Sequence, residues 1–136
     1  MVEDVAPEQT WQALADNVNA QLVDVRTDAE WTYVGLPELS SVNKRVLLIA
    51  WQSFPSGAPN PAFMQQLAGA GLTEAHDIYF ICRSGARSLA AAETARAHGF
   101  MKVYNVADGF EGPPDQNGHR GNVAGWKASS LPWRQR

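Results

Sequence analysis

The stretch "IYFICRSGARSLAAAETARAHGF", from Ile78 to Phe100, decides the fold and contains the only cysteine of the chain, Cys82. Its apolar start is typical of a buried strand, and "SLAAAETARAHG" predicts a helix that Gly99 closes. A buried strand followed closely by a helix is half of a βαβ unit. The loop between them opens with Cys82. We therefore expect it at the carboxyl end of a strand, where open α/β sheets bind their ligands.

The rest of the chain repeats this alternation of helices and strands. Helical spacing of apolar residues, a capping box and turns rich in proline or glycine mark the boundaries. The predicted elements are a helix over residues 7–18, a strand over 21–27, a helix opened by the capping box at 27–30, a strand over 45–51 that is covered on both faces, a helix over 63–68 and a strand over 102–106. With the central stretch, they predict one α/β domain over residues 1–136, a parallel sheet with helices on both faces.

Composition narrows the classes of function. The 136 residues are 45% hydrophobic and 18% charged, which suffices for one core, and the formal net charge is −3 with a pI near 5.5. This balance predicts no binding to nucleic acid or to a membrane, so an anionic substrate must be attracted by local positive charge. The single cysteine cannot form an internal disulfide, and the sequence has no signal-peptide pattern or membrane-spanning run. These features predict a cytoplasmic location.

The cysteine loop has the composition of an anion-binding site. Its residues are Cys82, Arg83, Ser84, Gly85, Ala86, Arg87 and Ser88. The positive end of the following helix points back at such a loop, Gly85 allows unusual dihedral angles, and the thiolate form of Cys82 is favoured there. Two arginines at a helix N-terminus lower stability, but a bound anion reverses that effect. The alternative is that Cys82 is a small buried hydrophobic residue, as free cysteines often are.

Four segments resemble the signatures of one family. "CRSGARS" resembles the active loop of rhodanese-type sulfurtransferases, "LVDVRTDAEW" their first signature, "GFMKVYNVADGFEG" the strand and turn after the active helix, and "GWKASSLPW" the closing segment. The resemblance covers about residues 5–133 and implies a rhodanese-like fold, a five-stranded parallel sheet flanked by helices. One segment departs from the pattern: "VGLPELSSV" at residues 34–42 lacks the histidine that many members carry, which leaves the local structure there open.

The resemblance also implies a mechanism. The Cys82 thiolate attacks the outer sulfur of a small anionic donor such as thiosulfate and becomes a persulfide. An external acceptor, which is a thiol, cyanide or a cysteine of a partner protein, then removes that sulfur. Main-chain amides from Arg83 to Ser88 stabilise the persulfide anion, and the side chains of Arg83 and Arg87 orient the donor. No metal or organic cofactor is implied, and the exposed thiolate is predicted to be sensitive to over-oxidation.

Residues outside the loop are assigned supporting roles. The resemblance places Asp24 and Arg26 near the active loop. We expect them to hydrogen-bond its backbone rather than to react, because a buried carboxylate beside a thiolate would oppose its ionisation. The glycine-rich segment from Asp108 to Asn122 is expected to form a lid or a docking surface. The histidines do not make a metal-ligand set; they are His76, His98 and His119.

Two other functions stay open. Rhodanese-like relatives include cell-cycle phosphatases, whose loops have one more residue between cysteine and arginine. Here four residues separate Cys82 from Arg87, and the smaller ring suits a single sulfur atom better than a phosphate. A phosphatase or arsenate reductase is therefore the weaker alternative. The other alternative is a sulfur carrier or regulatory binding module, although inactive relatives usually lack the cysteine that this chain keeps.

Overall fold

The computed structural model describes residues 1–136 and contains seven strands and four α-helices. The strands are β1 (Glu3–Val5), β2 (Ala20–Asp24), β3 (Leu36–Pro37), β4 (Leu47–Leu48), β5 (Asp77–Ile81), β6 (Val103–Val106) and β7 (Trp133–Arg134). The helices are α1 (Pro7–Asp16), α2 (Asp28–Tyr33), α3 (Phe63–Gly69) and α4 (Ala86–Ala97), and a short 3₁₀ helix covers Ser40–Val42. None of the helices has both the length and the apolar character that crossing a lipid bilayer requires.

Five strands form one parallel sheet in the order β1-β6-β5-β2-β4. This confirms the fold class that the sequence predicts. β3 and β7 pair separately as a two-stranded antiparallel ladder, which fastens the last residues of the chain beside the segment that follows α2. β5 is the central strand of the main sheet, so the loop after it lies in the middle of the carboxyl edge.

The main sheet is buried on both faces, which explains the apolar runs of its central strands. Successive residues of β2 alternate: Val23 packs in the core beneath α3 and α4, whereas Leu22 packs in the core beneath α1 and α2. α4 approaches the sheet through small, fully buried side chains, those of Ala91, Ala92 and Ala95. This close contact holds α4 against the sheet, and the first turn of α4 lies next to Cys82.

Besides β3 and β7, which the sequence did not predict, three elements differ from the sequence-based expectations. The apolar run at residues 45–51 does not form a strand covered on both faces: only Leu47–Leu48 is strand, at the sheet edge, where β4 pairs with β2 alone. α1 ends at Asp16, because Asn17 adopts extended backbone, and Val18 is left 85% exposed. β1 was not predicted, since a strand of three residues with one buried side chain carries no periodic signal.

One carboxylate attaches α2 to the start of α4. The predicted capping box is present: Thr27 Oγ1 accepts the Glu30 amide at 3.4 Å, and Glu30 Oε1 accepts the Thr27 amide at 3.2 Å. The same carboxylate accepts two hydrogen bonds from the Arg87 guanidinium, at 2.7 and 2.9 Å. Burial opposes the charged form of Glu30. The hydrogen bonds and charge of Arg87, with the hydrogen bonds of Thr27, outweigh burial and lower the pKa of Glu30 from 4.5 to about 2.

The chain after β6 rests directly on the loop that contains Cys82. The amide of Phe110 donates to the carbonyl oxygen of Cys82 at 2.8 Å, and the amide of Gly112 donates to that of Arg83 at 3.1 Å. Gly109 has a φ of +63°, and a Cβ there would lie 2.5 Å from the Cys82 oxygen. Only glycine allows the two backbones to approach so closely, so Gly109 sets the position of the Cys82 carbonyl.

Gly109→Ala is expected to lower the free energy of unfolding by about 2 kcal/mol or more, because alanine is strained at positive φ and its methyl group would overlap the cysteine loop. Urea denaturation of the purified variant measures this loss. Gly118→Ala is the matched control: Gly118 has a φ of +81° but nothing within 4 Å of an added methyl group. Gly118→Ala introduces the strain of alanine at positive φ without any overlap, so it should lower the free energy of unfolding by about 1 kcal/mol. Equal losses in the two variants would show that the overlap contributes nothing.

Glu30→Gln is expected to reduce stability at neutral pH and to lose this effect in acid. The folded-state pKa of Glu30, about 2, lies below its ordinary value of 4.5, so the carboxylate stabilises the fold above the ordinary value, and this contribution disappears as the pH falls towards 2. Urea denaturation across this pH range measures the difference between variant and parent. Asp28→Asn is the control, because that carboxylate is 79% exposed in its pair with Arg136. A difference for Glu30→Gln that stays constant with pH would contradict the prediction.

Candidate active site

Cys82 is the first residue after β5, and its sulfur lies at the N-terminus of α4. Gly85, the N-cap residue with a φ of +121°, donates its amide hydrogen to Cys82 Sγ at 3.1 Å. The Ser88 hydroxyl lies 3.2 Å from the same sulfur. α4 is 12 residues long, and its aligned peptide dipoles create positive potential at this end. A main-chain N–H donor and the positive end of a helix therefore both face the sulfur.

The sulfur is enclosed by these groups. Cys82 is 1% exposed, and its neighbours Ser88 and Asn105 are 0% and 5% exposed. The prediction of an exposed thiol is therefore wrong for this structure, because the Gly85 amide and the Ser88 hydroxyl both lie within hydrogen-bond distance of the sulfur. Among the main-chain amides of the loop from Arg83 to Ser88, only that of Gly85 forms a hydrogen bond to Sγ. The ring of amides expected from the sequence is here reduced to one.

The two arginines of the loop have different surroundings. Arg83 is exposed, and none of the four ion pairs of the chain includes it. Arg87 is paired with Glu30, and its side chain is 21% exposed. The hydrogen bonds of Glu30 raise the pKa of Arg87 against the effect of burial, and the charges of Cys82 and Asp24 act in the same direction as Glu30. Arg83 is therefore the loop cation that is free to meet an anion, whereas Arg87 is held in place beside the sulfur.

The other predicted loop residues divide into two groups. Ser84 and Ala86 are exposed, and their side chains take no part in the contacts of the sulfur. α4 begins at Ala86, so Ser88 lies inside its first turn with its hydroxyl against the thiol. The structure thus brings together Cys82, Gly85 and Ser88, with Arg87 close by.

Asp24 and Arg26 form a fully buried ion pair at the end of β2. Arg26 Nη2 lies 2.8 Å from an oxygen of Asp24 and donates to the carbonyl of Gly35, also at 2.8 Å. The guanidinium stacks 4.2 Å from the ring centre of Phe110, and its Nη1 is buried without a partner. The expectation that the pair hydrogen-bonds the backbone of the cysteine loop is wrong. The pair contacts the loop only indirectly: Arg26 stacks on the ring of Phe110, and the Phe110 amide donates a hydrogen bond to the Cys82 carbonyl.

Two site residues were not identified from the sequence. Glu30 was recognised as a capping residue, but its ion pair with Arg87 joins positions 57 residues apart. Asn105 lies in β6, where its side-chain oxygen accepts a hydrogen bond from Ser88 at 2.5 Å. A signal for Asn105 was available, since an amide in the middle of the otherwise apolar strand "VYNV" must find buried partners.

The tip of the long glycine-rich segment is organised by Asp115. Its carboxylate accepts the amide hydrogens of His119 and Asn117, each at 2.9 Å, and the Asn122 side chain at 3.0 Å. These hydrogen bonds lower the pKa of Asp115. The tip is therefore a self-contained turn, and its role as a lid or docking surface stays a prediction. Nowhere in the chain do three His, Cys, Asp or Glu side chains cluster in a way that would hold a metal ion.

Known proteins are similar to this chain in sequence and in fold. The family described as "STR4 middle domain" matches residues 3–136. The crystal structure of Rv0390 from M. tuberculosis has 45% sequence identity and a TM-score of 0.89, and the match covers 99% of this chain and 98% of that one. The "Uncharacterized protein RC0915" of Rickettsia conorii is 37% identical over 134 residues, which are 98% of each chain.

Two further relatives have descriptive names. "Rhodanese-like domain-containing protein 4, chloroplastic" of Arabidopsis thaliana is 30% identical over 121 residues, 88% of this chain and 23% of that protein. An Allochromatium vinosum protein named "Sulfurtransferase" is 26% identical over 132 residues, 97% of this chain and 94% of that one. The five-stranded parallel sheet, the cysteine at the N-terminus of α4 and these matches agree: the chain belongs to the STR4 middle domain family of rhodanese-like proteins.

Proposed function

We propose that this chain is a sulfurtransferase whose Cys82 accepts a sulfane sulfur from thiosulfate or a similar small anionic donor and passes it to an external acceptor. The observation that carries the proposal is the position of Cys82 Sγ, which receives the Gly85 amide hydrogen at the positive end of α4. The Allochromatium vinosum relative named as a sulfurtransferase supports the same class of reaction.

Each half-reaction forms one bond to sulfur and breaks one. The Cys82 thiolate attacks the outer sulfur of thiosulfate, the bond between the two donor sulfurs breaks, and sulfite leaves with its electron pair. An acceptor thiolate or cyanide then attacks the terminal sulfur of the persulfide, and the Cys82 thiolate leaves. The chain has no second cysteine, so the acceptor comes from outside: a small thiol, cyanide or a cysteine of a partner protein. Neither step needs a metal or an organic cofactor.

Main-chain amides suit a persulfide because they stabilise its negative charge without giving it a proton. The Gly85 amide already holds Sγ at 3.1 Å. The first turn of a helix also has amides without intrahelical partners, and in α4 these belong to residues 86–88. They are the candidates to hold the terminal sulfur.

The 1% exposure of Cys82 sets a condition for this chemistry. A donor reaches Sγ only when the residues that cover it move apart. The segment after β6 holds the carbonyl groups of Cys82 and Arg83. Movement is therefore expected in the turn at Ser84 and Gly85, which are exposed and half-buried.

The same enclosure favours a second candidate function, a binding or regulatory module in which Cys82 is a buried side chain without chemistry. A phosphatase or arsenate reductase stays the weaker alternative, because four residues separate Cys82 from Arg87. The cytoplasmic location also stays a prediction.

Incubation of the purified protein with thiosulfate is expected to increase the mass of the chain by one sulfur atom, because Cys82 becomes a persulfide. Cyanide or a small thiol, added afterwards, should return the mass to its starting value. Intact-mass spectrometry without reducing agent measures both steps, and Cys82→Ala is the control. No gain in the parent protein, or an equal gain in the variant, would favour the binding module instead.

Arg83→Gln is expected to raise the KM for thiosulfate about fivefold, equivalent to about 1 kcal/mol for an exposed charge, with a smaller effect at high salt. The reason is that Arg83 is the loop cation without a carboxylate partner. Steady-state kinetics at low and high ionic strength measure the change. Arg83→Lys keeps the charge and should stay close to the parent. An unchanged KM in Arg83→Gln would remove Arg83 from donor binding.

A further inference from the structure

A chain of hydrogen-bonding groups connects the enclosed sulfur with the surface of the protein. The Ser88 hydroxyl lies 3.2 Å from Cys82 Sγ and 2.5 Å from Asn105 Oδ1. Asn105 Nδ2 donates to a carboxylate oxygen of Asp4 at 2.9 Å, where β6 pairs with β1. Cys82, Ser88 and Asn105 are at most 5% exposed, whereas Asp4 is exposed. The sulfur-transfer chemistry proposed above does not use Asn105 or Asp4.

The surrounding acceptors fix the orientation of the Asn105 amide. Carboxylate and carbonyl oxygens only accept hydrogen bonds, so the nitrogen of Asn105 faces Asp4 and, at 3.3 Å, the carbonyl of Gly85. The amide oxygen therefore faces Ser88 as an acceptor. The Ser88 hydroxyl has a single proton and three acceptors within reach, which are Cys82 Sγ, Gly85 O and Asn105 Oδ1. The position of that proton depends on what the sulfur carries.

The charge on the sulfur decides between two arrangements. When the thiol is protonated, it donates to the Ser88 oxygen and the hydroxyl donates to Asn105, so every group has a partner. When the sulfur is a thiolate, the hydroxyl turns to it, and the buried Asn105 oxygen loses its donor. An unpaired buried acceptor is unfavourable. Asn105 therefore favours the protonated thiol, in opposition to the Gly85 amide and the dipole of α4.

We propose that Asn105, with its amide held by Asp4, is a positioning residue that turns the Ser88 hydroxyl away from the sulfur and thereby opposes ionisation of the Cys82 thiol. The inference rests on the proposed function of Cys82 and adds its regulation. When the thiol ionises, its proton passes to a base in solution, and the hydroxyl turns from Asn105 to the sulfur. A protonated, enclosed thiol is protected from oxidation, which matters in a chain without a second cysteine to resolve a sulfenic acid.

Other charges act on the sulfur in both arrangements. The elements around the site carry several charged side chains. They include Arg83 and Arg87 of the loop and α4, Glu30 of α2, Asp24 and Arg26 at the end of β2, Asp108 and Glu111 after β6, and Asp4 of β1; Glu3, Asp28, Glu93 and Arg96 belong to the same elements. Substitution of Asn105 or Ser88 removes none of these charges. A double-mutant cycle on the two residues therefore isolates the effect that passes through the hydroxyl.

The test is the pH midpoint of thiolate formation, followed by the ultraviolet absorbance of the thiolate with the Cys82→Ala protein as the blank. Asn105→Leu keeps the branched shape of the side chain but removes its acceptor oxygen, so the Ser88 hydroxyl is free to donate to the sulfur. We expect the midpoint to fall by about one pH unit, as for a hydrogen bond to a charged group. In a Ser88→Ala background, the same substitution should move the midpoint by less than about 0.3 pH unit.

Equal shifts in the two backgrounds, no shift, or a rise of the midpoint would overturn the proposal. If Asn105→Leu does not fold, the exposed Asp4→Asn replaces it. In that variant the Asn105 amide can rotate so that its nitrogen donates to Ser88. The pH midpoint of thiolate formation should then fall further when the Ser88 hydroxyl is present than in the Ser88→Ala background. Equal falls in the two backgrounds would again overturn the proposal. The absorbance requires no sulfur donor. A protein with the expected midpoints that forms no persulfide would retain this inference and refute the proposed function.

Discussion

The close approach of two backbones is the constraint on which the rest of the site depends. Phe110 and Gly112 donate hydrogen bonds to the carbonyls of Cys82 and Arg83, and Gly109 has no side chain to keep the segments apart. These contacts hold the carbonyl groups at the start of the cysteine loop, while the Gly85 amide faces the sulfur. Preorganised donors stabilise a developing charge only when the backbone that carries them is itself fixed.

Charges around the sulfur are arranged mainly as pairs. Glu30 is paired with Arg87, and Asp24 is paired with Arg26. A fully buried ion pair such as Asp24–Arg26 contributes little net stability, because desolvation offsets the attraction, but it holds its members in one geometry. Arg26 thereby stacks on the Phe110 ring, and Arg87 stays paired with Glu30. The one loop cation outside these pairs, Arg83, is exposed at the surface.

Short-range patterns predicted most of the fold, because they arise from residues that are neighbours along the chain. The capping box at Thr27, the helix closed by Gly99 and the parallel sheet are all present. The strand predicted over residues 45–51 is too long, and only Leu47–Leu48 forms a strand. An apolar run does not reveal whether a strand lies at the centre or at the edge of a sheet. β1 was missed because three residues are too few to show a period.

The sequence by itself determined the position of the lone thiol: an apolar strand, a cysteine, a glycine and a helix in this order place the sulfur at a helix N-terminus. Only the tertiary structure decided which side chains meet there and how far the thiol is enclosed. The partners of this network are distant along the chain: Glu30 and Arg87 are 57 residues apart, and Asp4 and Asn105 are 101 apart. The order of strands in the sheet brings such residues together, and no local pattern in a sequence records that order.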